Sequence, residues 1–139
     1  MGAAASATAS KYVGKATEYI KAVESGATGE ALARFLHLEV THYDLPNRFN
    51  PSGKVHDRAG MLAAAERGQK VLRSQRYDVL SSLEQGNTVV LEMDWVGKLA
   101  IAMGGIPAGG EIHARIATFL EFQDGLLIMQ RDYVCYDSF

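Results

Sequence analysis

The chain has 139 residues, 47% of them hydrophobic, with 14 basic and 16 acidic side chains giving a formal charge of −2. That length and apolar share fill one hydrophobic core, so a second domain is not expected. The charges are mixed along the chain, which argues against a partner held by phosphate neutralisation, and no nucleic acid is expected.

The single cysteine, Cys135, cannot close an internal disulfide, and with four scattered histidines it completes no zinc spacing. No metal is expected, and a reducing, cytoplasmic setting is the default. No apolar run approaches the ~20 residues that span a bilayer, so no membrane is expected either. Residues 1–10, MGAAASATAS, lack the charged start and Leu-rich stretch of a secretory signal and read as a flexible tail ahead of a single domain over 11–139. Gly2 and Ser6 fit the N-myristoylation pattern, but no second anchoring signal stands beside them.

Tyr12, Ala16, Tyr19, Ile20 and Val23 recur at helical spacing, with Ser10 as N-cap and Gly26 as stop. Thr28 can cap a second helix presenting Leu32, Phe35 and Leu36, after which residues 39–45 turn β-prone and Pro46 ends them. Residues 47–53 read as a loop, and Asp57 offers an N-cap to a third helix reaching about Leu72, with Met61, Leu62, Ala65 and Leu72 inward. From Gln75 on, turn signals at 85–87, 104–110 and 123–125 divide four strands near 75–84, 88–103, 111–122 and 126–137. Helices followed by a meander predict an α+β fold, three N-terminal helices packed on a curved, mainly antiparallel sheet. GGIPAGG at 104–110 lacks the order of a phosphate-binding loop and reads as a plain hairpin connection.

That order of elements, together with GGIPAGGEI (104–112), FLEFQDGLL (119–127) and QRDYVCYDSF (130–139), resembles the SnoaL-like branch of the nuclear transport factor 2 superfamily over about residues 12–139. The resemblance implies a cone-shaped fold around a pocket for a small, largely apolar molecule, and it implies no cofactor. Such folds host isomerases, cyclases, dehydratases, epoxide hydrolases and non-catalytic modules. Gln130-Arg131-Asp132-Tyr133 is similar to a catalytic strand of limonene epoxide hydrolase, which implies an acid at Asp132. An earlier Arg-x-Asp falls on Glu92-Met93-Asp94 and a Tyr-x-Asn on His42-Tyr43-Asp44. The aspartate that SnoaL-type cyclases carry on the penultimate strand aligns with Thr118.

Asp132 alternates with Gln130 and Val134 onto a mostly apolar side, where desolvation is expected to raise its pKa toward the range of general acid–base work. Alternation alone places Glu92 and Asp94 on a solvent face, opposite Val89, Leu91, Met93 and Trp95. The resemblance implies the reverse: acids in the pocket, and the apolar row buried against a second subunit of a homodimer. His42 and Asp44 share a strand face, where they would orient substrate or water.

The expectation is therefore an acid–base enzyme acting on an apolar substrate with a carbonyl, hydroxyl or epoxide. Asp132 would be the principal acid or base and Asp94 its partner, with His42 and Asp44 orienting. Glu92 would bind substrate, and Val96, Ile116, Thr118 and Val134 would line the walls. The competing class is a non-catalytic binding or dimerisation module, favoured if packed side chains separate Asp94 from Asp132.

Overall fold

The computed structural model describes residues 11–137. The expected tail, its Ser10 cap and Gly2 lie outside the described residues. Helix α1 spans Val13–Glu24, α2 spans Glu30–Ala33 and α3 spans Arg58–Val71. The strands are β1 Leu36–Asp44, β2 Lys54–His56, β3 Leu72–Gln85, β4 Thr88–Leu99, β5 Glu111–Gln123 and β6 Leu126–Tyr136. They form one sheet in the order β2-β1-β6-β5-β4-β3, antiparallel throughout except where β1 runs parallel to β6. This is the expected α+β arrangement, with β2 as an added short edge strand.

The helix starts differ in instructive ways. The N-terminus of α1 is closed by Glu84 of β3, whose carboxylate accepts from the backbone N–H groups of Lys11, Tyr12 and Val13. A distant carboxylate thus satisfies donors that this helix start leaves without an intrahelical partner. Helix α2 is a single turn preceded by Gly29 at φ 53°, and Phe35 and Leu36 leave it for the sheet. Asp57 caps α3 as expected, accepting from Gly60 N–H at 2.8 Å.

One face of the sheet meets the helices and is apolar. Val89, Leu91, Met93 and Trp95 of β4 lie there beside Ile112, Ala114, Ile116 and Leu120 of β5, and Ala16, Tyr19, Ile20, Leu32 and Met61 cover them from the helices. The apolar row of β4 is therefore the core of one chain. Burial inside the chain accounts for the row, and the argument for a homodimer built on it falls.

Candidate functional site

Between α1, α3 and the inner sheet face is a cavity of about 350 Å³. Its lining is mainly apolar, with Ile20, Leu32, Met61, Met93 and Ile116, but includes Glu24, Gln69, Arg73 and Gln75, and its floor carries His42, Thr118, Gln130 and Asp132. A few polar groups in an apolar concavity of this size suit a small organic ligand.

The floor is assembled by register. Thr118 of β5 lies opposite Asp132 of β6, and β1 places His42 beside Gln130 and Asp44 beside Asp132. The Thr118 hydroxyl donates to Asp132 Oδ1 at 2.6 Å, Gln130 Nε2 reaches both carboxylate oxygens at 3.0 and 3.1 Å, and His42 Nε2 lies 2.8 Å from Oδ2. Gln130 is itself held by the Tyr19 hydroxyl, which donates to its Oε1 at 2.6 Å. The imidazole and carboxylate side chains are only 17% and 19% exposed, so their charges interact with little screening.

Burial alone would raise the Asp132 pKa, as expected from the sequence. The hydrogen bond and charge of His42, then the hydrogen bonds from Thr118 and Gln130, outweigh burial and hold the carboxyl below its ordinary value. Burial likewise disfavours charge on His42, but the hydrogen bond and charge of Asp132 raise its pKa above 6.5. Each group thus favours the charged form of the other, giving an aspartate facing an imidazolium below the raised His42 pKa, and the expectation of a raised Asp132 pKa is corrected. His56 stacks on His42 with ring centroids 5.6 Å apart. Burial, then the His42 charge, with Arg67 and Lys54, lowers the His56 pKa.

The other expected residues divide. Ile116 lines the cavity, Thr118 binds Asp132, and Val134 packs half-buried against the core. Asp44 instead accepts from Asn47 Nδ2 at 3.0 Å and Asn50 Nδ2 at 2.7 Å, so it braces the loop after β1 where it was expected to orient substrate. Asp94 and Glu92 lie on the outer face: Arg115 Nε is 2.6 Å from Asp94 Oδ1, and Arg115 Nη1 is 3.6 Å from Glu92 Oε2. Val96 is on that outer face too, paired with His113. The pocket placement of Asp94, Glu92 and Val96 is thus corrected, because the buried partners of β4 are its odd-numbered residues. Sheet and core separate Asp94 from Asp132.

Two cavity residues carried no signal of function in the sequence. Tyr19 read only as part of an apolar helix stripe, and Tyr77 sits in a strand with no motif. Among the described residues, no group of three or more His, Cys, Asp or Glu side chains could hold a metal ion, and no helix is long and apolar enough to cross a membrane.

The sequence profile of the SnoaL-like domain matches residues 16–129. No curated protein sequence matches the chain. Among solved structures, a candidate SnoaL-like polyketide cyclase from Shewanella denitrificans superposes with a TM-score of 0.71 at 18% identity, covering 86% of each chain. IdmH, a candidate polyketide cyclase from Streptomyces antibioticus, gives 0.68 at 19% identity, covering 85% of this chain and 90% of its own. TsrD from Streptomyces laurentii gives 0.67 at 24% identity, covering 88% and 87%. At such identities the likeness is one of fold.

Proposed function

The chain belongs to the SnoaL-like domain family, and from that premise we propose that it is a cofactor-independent acid–base enzyme of the isomerase or cyclase type, acting on a small, largely apolar molecule that bears a reactive oxygen. The observation that carries this reading is the His42–Asp132 pair on the floor of an apolar cavity. Asp132 is occupied by three donor residues, which suits it to position and charge the imidazole. His42 is the group that exchanges the proton. Its Nδ1 has no hydrogen-bond partner among the described residues and is not sealed from the surroundings. The imidazolium donates its proton to substrate, and the neutral ring recovers one as product forms, so the protein ends unchanged.

The candidate cyclase names of similar folds support this class of chemistry. A binding module without catalysis is the second reading, and the separation of Asp94 from Asp132 favours it, since no pair of carboxylates shares the cavity. Incubation with small ketones, enones and epoxides, followed by NMR of substrate and product, distinguishes the two. Conversion that His42→Ala and Asp132→Asn each reduce by at least ~100-fold supports the enzyme. Conversion that both variants leave intact overturns the acid–base assignment.

A homodimer is inferred here from different residues. Leu83, Val90 and Phe119 are successive cross-strand neighbours on the outer face, and the Phe119 and Tyr133 rings lie 5.7 Å apart. Leu83 is 70% and Tyr133 43% exposed, a strip that pairing with a second copy would cover. Light scattering at twice the chain mass, falling to one chain mass in Phe119→Glu, is the expected result.

A further inference from the structure

Tyr77 is held on two sides. Its backbone N–H donates to Glu24 Oε2 at 2.7 Å, tying β3 to the end of α1. Its ring tilts against Trp95 at 6.5 Å, and the Trp95 indole is fixed by donating to Gln75 Oε1 at 3.0 Å. The side chain lines the same cavity as His42 and Asp132. Yet its hydroxyl has no hydrogen-bond partner among the described residues, whereas the Tyr19 hydroxyl is taken by Gln130. Nor is that oxygen sealed away: the one buried side-chain atom without a partner among the described residues is Arg58 Nε.

The rest of the floor offers few free acceptors. Asp132 already accepts from His42, Thr118 and Gln130, and Gln130 Oε1 accepts from Tyr19. Beside these engaged groups a ligand oxygen that can only accept is matched.

We propose that the Tyr77 hydroxyl is the donor that holds the oxygen of an apolar ketone in this cavity, so that the protein selects ketones over hydrocarbons of equal size. The proposal rests on the cavity being the ligand site and deepens that reading by naming the substrate class. Burial first, then the Asp132 charge, raises the Tyr77 pKa, so the hydroxyl keeps its proton and remains a donor across the working pH range.

The test uses 2-tetralone and tetralin, which share a ring frame and differ in the carbonyl. Trp95 is the chain's single tryptophan and stands beside Tyr77, so its fluorescence reports occupancy. Wild type is expected to bind the ketone more tightly, and Tyr77→Phe to weaken the ketone about fivefold while leaving tetralin unchanged, the size of one net hydrogen bond. The carbonyl stretch of bound 2-tetralone is expected to lie at the lower frequency of a hydrogen-bonded ketone in wild type and to rise in Tyr77→Phe. A stretch in wild type equal to that in hydrocarbon solvent overturns the proposal without any variant. Equal loss of both probes in Tyr77→Phe overturns it as well, since that marks a packing role. Neither readout requires turnover, so they fail separately from the acid–base assignment, which His42→Ala tests.

Discussion

The Thr118 hydroxyl and the Asp132 carboxylate meet at 2.6 Å across β5 and β6, as directly opposed residues of neighbouring strands. SnoaL-type cyclases place their acid on the penultimate strand, where this chain has threonine. Here a carboxylate stands one strand away and the threonine donates to it.

The contact gives the first prediction. Thr118→Val keeps the shape of the side chain and removes a donor from a poorly exposed carboxylate, which is expected to cost about 1–3 kcal/mol. Urea unfolding at neutral pH measures it, and Thr118→Ser, which keeps the hydroxyl, is expected to recover part of the loss.

Asp94 supplies a contrasting case. Its partner Arg115 is a half-exposed side chain on the outer face, and the Asp94 carboxyl is screened by water. Asp94→Asn is expected to leave the urea midpoint and any turnover of wild type unchanged. A loss of activity comparable to that of His42→Ala would contradict the placement of the site.

The sequence made the strands legible because alternation is intrinsic to a strand. Strict period two assigned Val89, Leu91, Met93 and Trp95 to one face and Glu92 and Asp94 to the other, and the structure agrees. Motif matching to an epoxide hydrolase reversed that assignment and was wrong about Asp94. A motif transfers a residue type, but here the apolar row determined which face is buried. Both routes pointed to Asp132, which lines the cavity. Its bond to His42 spans 90 positions and depends on β1 lying parallel to β6, which no local pattern encodes. The same holds for Glu84 capping α1 from a distant strand.

Gly97 was equally silent in the sequence. A Cβ there would lie 2.5 Å from Trp95 Cη2 and 3.0 Å from Leu72 Cδ2, so the indole occupies the space beside this glycine. Gly97→Ala must displace the ring that braces Tyr77, and overpacking of this kind costs about 1–3 kcal/mol. Thermal unfolding should show the loss, and the Trp95 emission should shift even where the protein remains folded.

The pH dependence of stability follows from the two titrations on the cavity floor. His42 has a pKa raised above 6.5 in the folded state. Its contribution is complete below 6.5 and is lost as pH rises through the raised value. Asp132 has a pKa below 3.8 when folded, so its contribution is complete above 3.8 and is lost as pH falls through the depressed value. Between those limits both groups are charged and the pair contributes fully. His56 acts oppositely near neutrality: its lowered pKa makes acidification below 6.5 destabilising, so the His42 effect is best isolated in a His56→Gln background. There, urea midpoints are expected to fall on the alkaline side. Asp132→Asn removes the nearest counter-charge and leaves burial opposed by the smaller Asp44 charge, so the His42 pKa is expected to drop below 6.5. The slope should change sign, with stability lost on acidification through 6.5. The cost of the substitution should be at most the ~3–5 kcal/mol of a broken buried pair, because the imidazole can shed its proton. An unchanged alkaline slope in Asp132→Asn would show that His42 does not titrate against Asp132, and the proton-exchange role of His42 would fall with it.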